Sequence, residues 1–155
     1  MQVAIKKTIK DEVEKLLLIQ QEAFADDLKK YQDFETSPVN ESFERLVYKV
    51  ENYLHYSIWY DNQIIGGIDI RENGEAKFRL NRIFLADAYQ NKGLGTHIMQ
   101  RIEAEFPNAV EWSLDTPHLN SRNHHFYEKL GYKKVGEHKI SESFILIDYK
   151  KIMDK

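Results

Sequence analysis

The 155-residue sequence contains no cysteine. Disulfides, thiolate metal sites and a cysteine nucleophile are therefore excluded, and a reducing compartment is the natural setting. There is no basic excess. Lys and Arg number 22 against 25 Asp and Glu, a net charge of −3, which speaks against nucleic acid as a partner. No block of about five or more like charges marks an interaction tail. No apolar run approaches the ~18 residues a membrane-spanning helix requires. The opening residues alternate, and lack the continuous apolar stretch of a signal peptide. A cytoplasmic protein without membrane contact is the expectation.

What is present is an ordinary globular balance. Apolar residues make up 42% and charged residues 30%, proportions that suit a packed core rather than a disordered chain. The length suits one domain over residues 1–155. Val3 and Ile5 mark an opening strand. The spacing of Val13, Leu16, Leu17, Ala23, Phe24 and Leu28 predicts a helix over 10–31. A second helix is predicted around 40–52. Strands at 53–60, 63–72 and 75–86 form an antiparallel meander, with turns at Asp61-Asn62 and Asn73-Gly74. Leu94, Ile98, Ile102 and Phe106 recur along a helix from about 93 to 106, which Pro107 stops. A strand at 109–116 and a short helix at 121–130 follow, then strands near 132–139 and 143–152. Gly131 suits the left-handed position after the short helix, with Tyr132 packing back on it. This order predicts an α/β (α+β) fold. Its mixed sheet has about seven strands and is flanked by about four helices.

The chemistry-bearing segment is RIFLADAYQNKGLGTHIM, residues 82–99. An apolar strand ends, a polar loop follows, and a helix opens at two glycines. The first turn of a helix has free N–H groups and the positive dipole end. Glycines at 93 and 95 let an anion approach the main chain. A P-loop is excluded because Lys92 precedes the glycine. A dinucleotide fingerprint fails because Ile98 stands where its third glycine belongs. A helix start with flexible glycines and no ligand is the plainer alternative.

Gln90-Asn91-Lys92-Gly93-Leu94-Gly95 resembles the Gln/Arg-x-x-Gly-x-Gly/Ala motif of the GNAT superfamily of N-acetyltransferases. The preceding Ile-Phe-Leu resembles that family's fourth strand. Leu114-Asp115-Thr116, Asn120 and Phe126-Tyr127-Glu128-Lys129-Leu130-Gly131-Tyr132 resemble its fifth strand, post-strand asparagine and C-terminal signature. The match is sharp from about 80 to 135, and upstream it is an agreement of element order. The resemblance implies a sheet splayed between the fourth and fifth strands, with acetyl-CoA wedged into the gap. Its pantetheine arm would pair with main-chain groups at Ile83, Phe84 and Leu85. Its diphosphate would sit on the N–H groups of Gln90, Asn91, Lys92, Gly93, Leu94, Gly95 and Thr96. Asn120 would contact the coenzyme, with a helix N-cap as the alternative. Tyr127 would be the general acid, with core packing as the alternative. The Leu85 N–H would polarise the thioester carbonyl. The implied reaction is acetyl transfer to a primary amine by direct attack in a ternary complex. A non-catalytic acyl-CoA-sensing module is the rival. The acceptor would be a small-molecule or peptide amine. Homodimers are common in the family, though no residue here marks an interface.

Some members carry a glutamate base on the fourth strand, and this sequence has none between Lys77 and Arg82. Glu35, Asp69, Glu72, Asp115 and His118 remain as bases, beside a water chain to solvent. The resemblance implies that the loop 32–41 forms part of the acceptor wall, where Asp33, Glu35 and Glu41 would suit a cationic amine, with an ordinary polar loop as the plainer alternative. No metal site is expected: the adjacent His124 and His125 cannot chelate together and are expected on the surface. The rings of Tyr53, Tyr56, Trp59 and Tyr60 are expected to pack the sheet.

Overall fold

The computed structural model describes residues 3–31 and 37–153. Alternating apolar residues form β1 (Val3–Lys7), and a short 3₁₀ turn leads into α1 (Val13–Tyr31). The second helix, α2 (Phe43–Asn52), starts three residues later than its periodicity suggests. Ser42 accounts for the difference. Its hydroxyl accepts the Arg45 N–H at 3.1 Å and caps the helix there. The meander follows as β2 (Leu54–Tyr60), β3 (Gln63–Glu72) and β4 (Lys77–Leu85). Asp61 and Asn62 both take positive φ, 48° and 70°, as a two-residue hairpin turn requires. The β3–β4 connection is longer than an Asn-Gly turn. Ala76 is also left-handed at φ 58°, so β4 begins at Lys77 rather than Glu75. Then come α3 (Leu94–Glu105), β5 (Glu111–Pro117), α4 (Ser121–Lys129), β6 (Lys133–Ser141) and β7 (Phe144–Ile152).

The seven strands form one sheet in the order β1-β2-β3-β4-β5-β7-β6. All neighbours are antiparallel except β4 and β5. That parallel pair meets only at Lys77↔Glu111, Phe78↔Trp112 and Arg79↔Ser113. Beyond Arg79 the strands part. The cause lies in β4 itself: Asp69 pairs with Arg82 and Ile70 with Leu80, so Asn81 is an extra residue in the ladder. A bulge of this kind bends its strand, and here it does so where β4 leaves β5.

Apolar residues cover both faces. Ile98, Met99 and Ile102 of α3 pack with Ile58, Ile68, Ile70 and Leu80 on one face. Val13, Leu16 and Ile19 of α1 pack with Leu46, Val50 and Phe84 on the other. The α1/α2 face also holds a buried polar layer. The Glu41 side chain, 4% exposed, meets Lys49 Nζ at 2.5 Å and Arg82 Nη1 at 3.1 Å. Gln20 Nε2 donates to it at 3.0 Å. Burial pushes the Glu41 carboxyl up, but the Lys49 and Gln20 donors and the Arg82 charge outweigh it and hold it below its ordinary value. Asp69, 1% exposed, accepts two bonds from Arg71 at 3.2 and 3.0 Å and one from Asn81 at 2.9 Å. Its carboxyl is likewise held low despite burial. Among the described residues no helix is long and apolar enough to cross a membrane.

His55 is 1% exposed, with its Nδ1 2.8 Å from the Thr8 hydroxyl. Burial lowers its pKa from 6.5 to about 4. Between those values the unfolded chain binds a proton that the native protein refuses. His55 therefore contributes stability that is present above pH 6.5 and lost as pH falls towards 4, roughly 3 kcal/mol over the whole window. Urea unfolding at stepped pH should show this slope, and His55→Gln should flatten it. An unchanged slope in the variant would assign the loss to other groups.

Candidate active site

The loop from β4 to α3 has the geometry of an anion cradle. Gly93 precedes the helix at φ 77° and ψ 10°, and no side chain caps the helix start. Asn91 is also left-handed at φ 60°. Left-handed residues of this kind are the ones from which anion-binding concavities of main-chain amides are built. The first-turn amides of Leu94, Gly95 and Thr96 have no intrahelical acceptor. Among the described residues, no amide from Asn91 to Thr96 donates to a side chain. Gln90 differs: its N–H donates to Asp87 O at 3.2 Å within the preceding turn.

The two glycines play different parts. A Cβ built on Gly93 meets nothing within 4 Å, so it would project into the open space of the cradle. A Cβ on Gly95 would come within 2.9 Å of Phe126 Cζ. Gly95 is thus small because α4 packs on α3 there, and anion access is not its sole constraint. The loop is also tied to α4 by a hydrogen bond from Arg122 Nη1 to the Asn91 side-chain oxygen. That places an exposed guanidinium beside the cradle, a feature with no signal in the glycine motif.

The exit from β4 leaves main-chain groups free. Ala86 N donates to Ile65 O at 2.8 Å. Direction alternates along a strand, so Phe84 also turns its polar groups to β3, while Ile83 and Leu85 turn theirs to the gap. The Leu85 carbonyl accepts the Gln90 side-chain amide at 2.9 Å, so that side chain braces the strand end. Of the three main-chain positions expected to face the coenzyme, Phe84 is the one directed the other way. Its ring packs under α1 and α2.

Between the parted strands lies a cavity of about 270 Å³, walled by Leu80 and Ile83 of β4, Leu114 and Thr116 of β5, Tyr127 of α4 and the C-terminal half of α1. Tyr127 is 7% exposed, and its hydroxyl has no hydrogen-bond partner among the described residues. Burial, with the Asp115 charge nearby, pushes that hydroxyl up to about 12. The phenol therefore stays protonated at neutral pH. The helix behind it ends as expected. Gly131 takes φ 102°, Tyr132 N donates to Tyr127 O at 3.0 Å, and Gly131 N donates to Glu128 O at 3.1 Å. The Asn120 side chain accepts the Asn123 N–H at 3.1 Å and caps α4.

The expected bases fare unequally. Asp33 and Glu35 lie outside the described residues. Asp69 is consumed by Arg71 and Asn81. Glu72 is exposed at the end of β3, away from the cavity wall. His118 Nδ1 lies against the Ile145 main chain, 3.1 Å from its O and 3.3 Å from its N. Asp115 does line the cavity, but Arg79 Nη2 sits 2.5 Å from it. Glu41, expected in the acceptor wall, is buried under the helices in its own ion network. The β2 aromatic rings do not line the cavity. His125 is exposed as expected, whereas His124 is half-buried: its Nε2 lies 3.2 Å from Pro117 O and its Nδ1 2.6 Å from the Tyr149 hydroxyl, linking α4 to β5 and β7.

Two groupings escaped the sequence pattern. Asp27 of α1 lines the cavity, and its carboxyl is raised above its ordinary value by burial. The helical period put it on the polar side, with nothing to reveal what it faces. Cross-strand pairing also brings ligand atoms of Asp115, His138 and Asp148 within 4.8 Å of one another. The Arg79 guanidinium already neutralises Asp115 there, which disfavours a metal ion at the same spot.

Comparison with known proteins agrees with this geometry. The acetyltransferase (GNAT) domain family matches residues 9–153. The uncharacterized protein YrkN of Bacillus subtilis (strain 168) is 32% identical over 82 residues, which is 52% of this chain and 44% of that protein. The chain thus matches less than half the length of that curated relative. In fold it is similar to the PaiA N-acetyltransferase of Thermoplasma acidophilum, solved in complex with coenzyme A. The TM-score is 0.76 at 21% identity, covering 99% of this chain and 100% of that one. A GNAT-family acetyltransferase of Streptococcus agalactiae superposes with a TM-score of 0.83 at 16% identity, covering 99% and 96%.

The Gly95–Phe126 contact sets a sign that propensity alone would reverse. Gly to Ala inside a helix ordinarily stabilises by about 1 kcal/mol. Gly95→Ala should instead destabilise, and a double-mutant cycle with Phe126→Leu should show coupling of about 0.5 kcal/mol or more. A higher urea midpoint for Gly95→Ala would mean that the contact does not limit this position.

Proposed function

The chain belongs to the GNAT acetyltransferase family, and on that premise we propose that it transfers the acetyl group of acetyl-CoA to a primary amine by direct attack in a ternary complex. The observation that carries the reading is the uncapped start of α3. It opens beside the gap between β4 and β5 and the Tyr127 hydroxyl. The open space over Gly93 supports the fit of a diphosphate on the amides of Asn91 to Thr96, with Lys92 and Arg122 adding positive charge. Main-chain groups of Ile83 and Leu85 would hold the pantetheine arm as an added strand, and Asn120 would close the site from α4.

Acetyl-CoA supplies the acyl group already activated as a thioester. The Leu85 N–H, directed into the gap, would donate to the carbonyl oxygen as negative charge develops on it. The amine nitrogen of the acceptor bonds to the carbonyl carbon and the carbon–sulfur bond breaks. Tyr127 donates a hydrogen bond to the departing sulfur as charge develops on it and gives up its proton there; because a thiolate is a weaker base than this phenolate, that transfer is uphill and is completed only as solvent returns a proton to the phenol. The amine loses its proton to solvent through the open cavity, and Tyr127 recovers one by the same route. A sulfur-linked acyl-enzyme is ruled out because the chain has no cysteine.

Two variants separate binding from chemistry. Gly93→Trp should abolish acetyl-CoA binding in calorimetry while the protein stays folded, its thermal midpoint lowered by a few degrees because a side chain at φ 77° is strained. Retained affinity would remove the cradle from the reading. Tyr127→Phe should lower kcat by about 100-fold or more with little change in coenzyme affinity, read as free thiol released. Undiminished turnover would exclude Tyr127 as the acid. Coenzyme binding without turnover of any amine would favour a sensing module instead.

A further inference from the structure

A carboxylate that faces a cavity without a counter-ion attracts a cation, and its attraction strengthens as water is excluded. Asp27 is such a group. It is half-buried on α1 and lines the cavity, and among the described residues no cation lies within ion-pairing distance. The neighbouring Lys30 turns elsewhere, its ammonium exposed and 3.4 Å from Leu119 O. The other charges on the wall are neutralised within the protein: Asp115 by Arg79 at 2.5 Å and Arg82 by Glu41 at 3.1 Å. Phe24, Leu28, Phe144 and Leu146 give the wall an apolar side, beside the polar Tyr31, Ser37, Asn81 and Asn123.

We propose that the acceptor is a cationic amine carried on an apolar body of about aromatic-ring size, with no carboxylate beside the amine, and that Asp27 recognises its ammonium. This rests on the acetyl-transfer reading of the cavity. A free amino acid would bring a carboxylate to a wall whose one arginine, Arg82, is already paired with Glu41, and would face Asp27 as a like charge. A polyamine would leave the apolar wall unfilled and bring a second charge with no partner. The volume of about 270 Å³ lies at the small end of ligand pockets, which suits a small acceptor. Asp27 and Tyr127 reach this space from helices on opposite faces of the sheet. An ammonium held from the α1 side can therefore enter the gap towards the phenol.

The test uses matched acceptors with the full chain and acetyl-CoA, reading thiol release. Phenethylamine should exceed phenylalanine in kcat/KM by about 30-fold or more, from the loss of one charge pair and the gain of one repulsion. It should also exceed spermidine. Asp27→Asn should raise KM for phenethylamine by about 30-fold and narrow its advantage over phenylalanine, while the acetyl-CoA Kd and thermal midpoint stay at parental values. Asp27→Glu should restore part of the preference. Equal use of phenethylamine and phenylalanine, a preference for spermidine, or an unaltered ratio in Asp27→Asn would overturn the proposal. So would coenzyme binding with none of these amines acetylated. Failure to bind acetyl-CoA at all would instead remove the acetyl-transfer reading beneath it.

Discussion

The site depends on the early parting of two parallel strands. β4 and β5 share only three residue pairs, ending at Arg79 and Ser113. A sheet interior normally satisfies every main-chain group with a neighbour, because an unpaired buried amide is costly. Here β4 keeps β3 on one side and leaves Ile83 and Leu85 without a strand partner on the other, the Leu85 carbonyl being taken by the Gln90 side chain. That edge, in the middle of a sheet rather than at its rim, is what gives the fold a slot for an extended ligand. The cavity, the phenol that reaches it and the helix start beside it are arranged around the same opening.

The opening is held by polar groups rather than by apolar packing alone. Asn81 is the bulged residue of β4, and its side chain donates to Asp69 at 2.9 Å. The next residue, Arg82, is gripped by Glu41, which also holds Lys49 and Gln20. Two buried carboxylates therefore pin the bend of β4 to β3 on one side and to α1 and α2 on the other. Such networks contribute little net stability against an apolar equivalent, but breaking one partner leaves a buried charge exposed to no solvent and is costly. Their use here is positional: they fix where β4 turns away from β5.

Electrostatics separates the start of α3 from the cavity. The start of α3 offers uncapped amides with Lys92 and Arg122 nearby and suits an anion. The α1 end offers the unpaired Asp27 and suits a cation. Tyr127 lies between them, and burial keeps its proton in place well above neutral pH. A phenol that stays protonated is a standing hydrogen-bond donor for charge developing on a leaving sulfur. The separation of charge along one slot is consistent with two reactants entering from different sides and meeting at the phenol.

Much of this was legible in residue order. Apolar periodicity located every helix and strand to within a few residues. The glycine loop and the Phe-Tyr-Glu-Lys-Leu-Gly-Tyr segment were readable because turn geometry, helix capping and left-handed positions are encoded within a few neighbouring residues. Ser42 and Ala76 moved element boundaries for equally local reasons. What only the tertiary structure decided was the fate of each charge. Glu41 read as an acceptor-loop acid and is instead locked with Lys49 and Arg82. Asp115 read as a base and is paired with Arg79. Asp27 carries no signal in residue order, and the structure places it on the cavity wall without an ion pair among the described residues. Gly95 read as ligand clearance and is also a helix contact against Phe126. Each of these outcomes depends on groups from different elements meeting across the sheet, and the free energy of a charge is set by that company rather than by its neighbours along the chain.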